Sequence, residues 1–126
     1  MLKKLSFEEL IVWQKAHQLV LKTYQYSNRL PKEEAEGLRD ELRCSTRNIA
    51  AHIAEGHQSV NPGRRMQFLC HAQESLKKSK YLFLLSEDLS YGKDATVREL
   101  LHEVDQLLTD FMSLTRNNLT LNFVER

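Results

Sequence analysis

The sequence predicts an all-α protein, folded as an antiparallel up-down-up-down four-helix bundle, and three observations support that fold class. Apolar residues recur at intervals of three and four along four segments, as they do on the buried face of a helix. No segment shows the alternation of apolar and polar residues that is typical of a strand. Short connections separate the segments, which favours antiparallel packing of neighbouring helices. A chain of 126 residues can bury one core, so we expect a single domain over residues 1–126.

The first two helices are predicted at about residues 7–29 and 33–56. Ser6 opens a capping-box pattern at the start of the first helix, and Pro31 interrupts the chain after its end. An acidic cluster follows, and acidic side chains stabilise the positive N-terminal end of a helix, here the second one. We expect Gly56 to cap the C-terminus of this helix, because glycine readily adopts the left-handed conformation found there.

The last two helices are predicted at about residues 62–90 and 97–117. Asn61 is a favoured N-cap residue, and the proline that follows it suits the first position of a helix. Thr96 opens a second capping-box pattern before the most regular apolar stripe of the chain. Residues 119–126 show no helical pattern, so we expect an irregular tail that is either frayed or docked on a neighbour.

The first helix is apolar over more than one narrow stripe. Tyr24 and Tyr26 cannot both face the core of one helix, because residues two apart point in different directions. Ile11 and Val12 lie beside Trp13 and widen the apolar surface further. Such a surface on a small bundle indicates burial against a second copy, so we expect a homo-oligomer.

Positive charge is concentrated in the middle of the chain, although the formal net charge is only +1. Residues 39–80 contain eight Lys or Arg against four Asp or Glu, which leaves +4. Residues 81–126 contain four basic and eight acidic residues, which leaves −4. A basic surface attracts phosphates, and several copies around an axis would multiply that attraction. The candidate nucleic-acid-binding residues are Arg39, Arg43, Arg47, Arg64, Arg65 and Lys77. The alternative is that these cations solvate the surface or pair with acidic residues one helical turn away.

The most distinctive pattern is the run IAAHIAEG at residues 49–56. It resembles the SIPxNIAEG signature of the bacterial four-helix-bundle proteins encoded within 23S rRNA intervening sequences, and the resemblance spans roughly residues 7–91. Further matching positions are Phe7, Leu10, Trp13, Gln14, Lys15, Ala16, Leu30, Pro31, Lys32, Gly37, Leu38, Phe68, Leu69, Ala72, Ser75, Leu76, Leu89, Ser90 and Tyr91. The departures are Asn48, Ala50, His52 and Cys44, where the family usually has serine, proline, asparagine and arginine.

This resemblance implies a bacterial four-helix-bundle protein. A more distant similarity is to the accessory protein of diversity-generating retroelements, which is a pentameric bundle that binds nucleic acid and partners a reverse transcriptase. That similarity implies a homopentamer with RNA or DNA as its ligand. It also makes a reverse-transcriptase-like protein a candidate partner.

Catalytic and metal-binding patterns are weak, so we expect neither an enzyme nor a cofactor. His52 and Glu55 lie three apart on one helix face, and two residues are too few for a metal site. Glu99 and His102 fit the spacing of a di-iron bundle once, without a second copy of the motif. No apolar run is long enough to span a bilayer, and the first residues lack a signal-peptide pattern. We therefore expect a cytoplasmic protein with no membrane partner.

Two classes of function fit these observations. The first is a non-enzymatic homo-oligomer that binds RNA or DNA through basic surface on the second and third helices, without base specificity. The alternative is a protein-interaction or assembly scaffold with no nucleic-acid binding, in which the signature serves to pack helices. An oligomer that ignores RNA at physiological salt would identify the second class.

Overall fold

The computed structural model describes the backbone of residues 6–124 and the side chains of residues 6–117. Within these residues the chain forms four α-helices: α1 is Ile11–Ser27, α2 is Leu38–Gln58, α3 is Pro62–Asp88 and α4 is Ala95–Val124. Two short 3₁₀ turns, Phe7–Glu9 and Lys32–Glu34, precede α1 and α2. No strand occurs between residues 6 and 124, and the predicted all-α class is confirmed.

The helices form an antiparallel bundle in which each packs on the next and α4 returns to α1. Arg39, near the start of α2, contacts Ser27 at the end of α1, whereas Arg47 further along α2 contacts Tyr24 earlier in α1. Contacts in the other helix pairs run in opposite directions in the same way. They are Ser45 with Ser79, His52 with Phe68, Lys80 with Asp105, Arg98 with Glu87, Lys15 with Glu103, and Tyr26 with Gly92 just before α4.

The core lies between the four helices and consists mainly of aliphatic side chains. Its fully buried members include Leu19, Leu42, Ile49, Ile53, Leu69, Leu76, Val104 and Leu108. Small polar side chains within the core bond to the backbone or to each other, as when Ser79 Oγ donates to Ser45 Oγ at 2.9 Å. The polar groups of the core are thereby satisfied without contact to solvent.

Only one tyrosine of α1 enters the core, as predicted. Tyr26 is 1% exposed, packs edge-on against Phe83, and donates its hydroxyl to the carbonyl oxygen of Gly92 at 2.8 Å. Tyr24 is half-buried on the side of α1 that faces α2. The α3–α4 connection is therefore tied to the end of α1 by a buried phenol.

The first two helices begin later than the sequence pattern predicted. The capping box of Ser6 is present, but it opens a 3₁₀ turn, and extended backbone at Leu10 (φ −78°, ψ 128°) separates that turn from α1. The second helix begins at Leu38 and not at residue 33, because Gly37 (φ −112°, ψ −108°) lies outside the helical region. The acidic cluster instead lies mostly in the 3₁₀ turn before α2.

Gly56 lies inside α2 and does not cap it. The helix continues to Gln58, and the backbone N–H of Ser59 donates to the carbonyl oxygens of Glu55 and Gly56. A Cβ placed on Gly56 would lie 3.3 Å from the carbonyl oxygen of Arg65, so the glycine allows α3 to approach closely. Close helix packing, and not the end of α2, explains this residue.

The ends of the last two helices also differ from the prediction. Helix α3 stops at Asp88, because Ser90 adopts a left-handed conformation with φ 68° and the N–H of Tyr91 donates to the Ser86 carbonyl oxygen. Helix α4 begins at Ala95, two residues early, because the carboxylate of Asp94 accepts from the N–H of Val97 at 3.1 Å.

The irregular tail predicted for residues 119–126 is wrong as far as Val124, because α4 continues to that residue. Extending an existing helix adds one hydrogen bond for each residue ordered, so weak local preference need not stop it. Residues 125–126 lie outside the described part of the chain.

Candidate nucleic-acid interface

Arg39 holds the end of α1 in place. Its Nε donates to the carbonyl oxygen of Ser27 at 3.2 Å, and its Nη2 donates to that of Leu30 at 3.0 Å. The last carbonyl groups of a helix have no partner within the helix, and Arg39 satisfies that of Ser27 together with the carbonyl of Leu30 in the connection that follows α1. This predicted phosphate ligand is therefore half-buried and bound to backbone of its own chain.

Arg43 and Arg47 follow on the same stripe of α2, and both contact α1. Arg43 donates from Nε to Ser27 Oγ at 2.7 Å and from Nη2 to Asn28 Oδ1 at 3.0 Å, with its guanidinium group 4.6 Å from the centre of the Tyr24 ring. Arg47 is exposed, and its Nη1 lies 2.6 Å from the Tyr24 hydroxyl oxygen. That hydrogen bond raises the pKa of Arg47. Of the two, Arg47 presents more of its charge to solvent.

Arg65 caps the C-terminal end of α2, at the opposite end of the bundle from the α1 terminus that Arg39 caps. It lies in the first turn of α3 and donates to three carbonyl oxygens at the end of α2, those of Gly56, His57 and Ser59, at 3.1–3.2 Å. The first turn of a following helix thus supplies the C-terminal cap of the preceding one in both places. Sequence spacing alone does not distinguish Arg39 or Arg65 from an arginine that binds phosphate.

Arg64 and Lys77 are exposed on α3. The guanidinium carbon of Arg64 lies 5.7 Å from the centre of the Phe68 ring. The two residues are thirteen positions apart, which corresponds to roughly 20 Å along a helix. They are the two predicted site residues on α3 that point away from the packed interior.

The six predicted residues do not form one patch. Arg39 and Arg43 cluster where α1 ends, whereas Arg64 and Arg65 lie at the opposite end of the bundle, where α2 ends. Helix α2 spans the distance between these ends, which is about 30 Å for its 21 residues. The structure therefore contains two separate basic regions, and Lys77 lies between them along the length of the bundle.

A column of flat side chains crosses the outer surface of α2 and α3, and it was not predicted from the sequence. Phe68 stacks against His52 with 6.4 Å between ring centres, and His52 lies 5.5 Å from His71. Arg64 covers Phe68 at the other end. We call Arg64, Phe68, His52 and His71 the stacked column. The spacing of residues 64, 68, 71 and 78 on one helix face was the available signal, and Lys78 extends that face.

His52 lies inside this column with a buried ring nitrogen. Its Nδ1 lies 3.3 Å from a carboxylate oxygen of Glu55 and has no hydrogen-bond partner among the described residues. His71 has a carboxylate of Glu74 at 3.9 Å. Two carboxylates therefore lie beside the stacked column, which contains the cation Arg64.

An open cavity of about 660 Å³ lies along the same face of α3. It is lined by Asn61, Gly63, Arg64, Gln67, Phe68 and His71. The lining contains the guanidinium group of Arg64, the side-chain amides of Asn61 and Gln67, and the rings of Phe68 and His71. Both ends of the stacked column reach it, since Arg64 and His71 are among its walls.

A second surface feature is an apolar groove between α1 and α4. It measures about 540 Å³, and its walls include Ile11, Leu107, Phe111 and Leu114. Ile11 is 62% exposed and Leu114 is 64% exposed, so the groove presents aliphatic side chains to solvent from both of its helices. The wide apolar surface that the sequence predicted for the first helix is therefore present and is shared with α4.

Metal-binding and membrane-spanning features are absent from the part of the chain that the structure describes. Among these residues, no group of three His, Cys, Asp or Glu side chains is close enough to hold a metal ion. Within the same part of the chain, no helix combines the length and the apolar character needed to cross a bilayer. The free cysteines Cys44 and Cys70 are both exposed.

The fold and its surface define a four-helix-bundle protein with half-buried, helix-capping arginines and an exposed basic and aromatic face. The family model described as 23S rRNA-intervening sequence protein matches residues 8–111, so the chain belongs to that family. The resemblance predicted from the run at residues 49–56 is confirmed. No curated protein matches the chain.

Proposed function

We propose that this protein is a non-enzymatic homo-oligomer that binds RNA or DNA through basic residues on the outer surface of α2 and α3, without reading base sequence. The observation that carries the proposal is the exposed set Arg64, Lys77 and Lys78 on α3, together with Arg47 on α2. Phosphate contacts from such side chains are independent of sequence. Arg65 supports the surface by fixing the end of α2, and Arg39 and Arg43 join α2 to the end of α1.

Charge distribution supports the proposal further. Helix α3 carries five Lys or Arg against three Asp or Glu, a net charge of +2, whereas α4 carries two against four, a net charge of −2. A basic α3 beside an acidic α4 would direct phosphates towards α3 and away from α4. Copies arranged around an axis would multiply the positive field and raise the affinity.

The groove between α1 and α4 supports assembly of several copies. Its exposed Ile11 and Leu114 belong to α1 and α4, and His57 and Arg65 also line it, so an interface there would reach the end of α2 and the start of α3. A ring of five is the arrangement that the similarity to the retroelement accessory protein favours. A reverse-transcriptase-like protein is the partner that the same similarity favours, and we expect a cytoplasmic setting.

The test is the affinity for a fluorescently labelled single-stranded RNA, measured by anisotropy across a salt series. The variant carrying Arg64→Gln, Lys77→Gln and Lys78→Gln should bind at least tenfold more weakly. Its slope of log affinity against log salt should fall by about 0.7 for each phosphate that the variant no longer neutralises. The matched control carries Lys15→Gln, Lys80→Gln and Arg98→Gln, whose cations already pair with Glu103, Asp105 and Glu87. An equal decrease in affinity in the control would contradict the assignment of the surface.

The second candidate function is an assembly scaffold, and one observation favours it. Within the signature, Ile49, Ile53 and Gly56 are buried, so much of the signature serves packing. A scaffold would give an oligomer whose mass, measured by light scattering, stays the same when RNA is added at physiological salt. Salt-sensitive growth of that mass would support the nucleic-acid proposal instead.

A further inference from the structure

From the stacked column we infer that the nucleic acid is bound as a single strand, with an unstacked base seated in the cavity beside Arg64 and His71. This inference rests on the proposed function and names its ligand more closely. It depends on the shape and chemistry of one face of α3, not on the net charge of the protein.

The column offers surfaces on which a base can stack. His71 has a side chain that is 58% exposed, and Arg64 is exposed at the other end of the column. Aromatic rings and guanidinium planes are the groups that proteins use to hold unpaired bases. Phe68 and His52 lie between these two outer members: Arg64 lies over the Phe68 ring, Phe68 stacks on His52, and the His52 ring is tilted by 39° against that of His71.

The cavity has room and polar groups for the rest of a nucleotide. Its volume is about 660 Å³, which lies within the range of small-molecule sites. Gln67 is exposed and places an amide in the cavity wall. Asn61 Oδ1 accepts from the N–H of Arg64 at 3.0 Å, which leaves its amide nitrogen to donate to a base edge. Because all four bases carry hydrogen-bond acceptors, one amide donor distinguishes them only weakly.

Carboxylates beside the stacked column weaken phosphate binding at this end of the basic surface. Glu55 and Glu74 approach His52 and His71 to 3.3 Å and 3.9 Å, so they offset part of the positive field of Arg64. Stacking can supply what the charges do not, because one base on an aromatic platform raises affinity by about 5- to 150-fold. A duplex keeps its bases covered, so only a single strand gains this contribution.

The experiment compares three probes of equal length: single-stranded RNA, the matching duplex, and a single-stranded oligonucleotide whose central nucleotides are abasic. We expect the single strand to bind at least tenfold more tightly than either of the others. Phe68→Leu and His71→Ala should each reduce that ratio to about threefold or less, with unchanged affinity for the abasic strand. The leucine retains apolar packing at the partly buried position 68.

Matched controls are Tyr81→Leu and His102→Ala, which change exposed aromatic side chains outside the column. Both should keep the preference for bases. A strand containing 2-aminopurine should lose fluorescence when it binds the parent protein and the controls, but much less with His71→Ala.

The outcomes separate the two proposals. Equal affinity for normal and abasic strands would overturn stacking while leaving phosphate binding in place. Equal affinity for single strand and duplex would overturn the preference for a single strand. No binding of any probe would overturn this inference together with the proposed function.

Discussion

Arg65 of α3 and Gly56 of α2 lie against each other where the two helices pack closely. The Nε of Arg65 donates to the carbonyl oxygen of Gly56 at 3.1 Å. A side-chain carbon on Gly56 would lie 3.3 Å from the carbonyl oxygen of Arg65. The glycine therefore permits the close approach that lets the arginine cap α2, and one contact depends on the other.

Gly56→Val should destabilise the protein by about 1–3 kcal/mol. The added carbons would press on the Arg65 carbonyl, Leu69 and Phe68, each already 3.3 Å from an ideal Cβ, and overpacking of this kind has that cost. Urea denaturation measures the change in free energy of unfolding.

The control for this change is Ala51→Val, on an exposed position of the same helix. It introduces the same β-branched residue without a packing conflict, so its effect should stay below about 1 kcal/mol. Gly56→Ala should have a smaller effect than valine, because the helix preference of alanine offsets part of the strain. Similar decreases in stability at positions 51 and 56 would show that the close approach is unimportant.

Arg65→Gln and Arg64→Gln form a matched pair on neighbouring residues. Arg65 donates to three backbone carbonyls, and hydrogen bonds from a charged donor contribute about 1.5–3 kcal/mol when partners would otherwise be unsatisfied. We expect a decrease in stability of about 1–2 kcal/mol for Arg65→Gln, since the site is partly exposed, and of less than about 0.5 kcal/mol for exposed Arg64→Gln. Thermal unfolding compares them. Equal stability of the two variants would contradict the capping role.

The helix count, the class and the family were readable from the sequence because they depend on local signals. Apolar spacing and the caps at Ser6 and Asn61 act within a few residues, and both caps are present. The role of Gly56 was misread, since a glycine after an apolar run looks the same whether it ends a helix or admits a neighbour. Only the position of α3 distinguishes the two.

The candidate site was harder to predict for a related reason. Arginines at steps of four mark a stripe of α2, but spacing does not say whether that stripe meets solvent or α1. Arg39 and Arg43 meet α1, while Arg47 retains exposure. The stacked column combines residues of α2 and α3, so its existence depends on the register between two helices.

Leu114→Glu should weaken assembly without unfolding the chain. The side chain is 64% exposed in the groove between α1 and α4, so a carboxylate there is tolerated in a monomer and opposed in an apolar interface. Light scattering should show a lower mass, with unchanged helical circular dichroism. Leu84→Glu, at a 52% exposed position on α3, is the control. An unchanged mass for Leu114→Glu, or an equal decrease in mass for Leu84→Glu, would place the interface elsewhere.

Stability should fall in alkaline solution partly through Tyr26. Burial raises the pKa of Tyr26 above its ordinary value of 10.0. Above that value the unfolded state releases a proton that the folded state keeps, so the contribution is present below pH 10.0 and is lost as pH rises further. The Tyr91 pKa is also raised, by the hydrogen bond to Glu34, and acts in the same direction.

Melting temperatures between about pH 8 and pH 11 test this, because that range brackets the ordinary tyrosine pKa. Tyr26→Phe should be less stable at the lower pH by about 1 kcal/mol, since it loses the hydrogen bond to Gly92, and should decline less steeply at high pH. Tyr81→Phe, which changes an exposed hydroxyl, should follow the parent curve. A parallel decline for Tyr26→Phe would exclude this tyrosine as a cause.

Reversing the charge of Arg43 and of Arg47 in separate variants tests which arginine stabilises the fold and which binds RNA. Arg43→Glu removes donors from Ser27 and Asn28 and places a carboxylate beside the C-terminal end of α1, where the helix dipole is negative. We expect it to lower the free energy of unfolding by about 1–2 kcal/mol.

Arg47→Glu removes one exposed hydrogen bond to Tyr24, so its effect on the free energy of unfolding should stay near or below about 1 kcal/mol, while RNA affinity falls severalfold. Urea denaturation and anisotropy on the same samples provide both readings. Unaltered RNA binding by folded Arg47→Glu would remove α2 from the interface and leave α3 as the surface that meets phosphate.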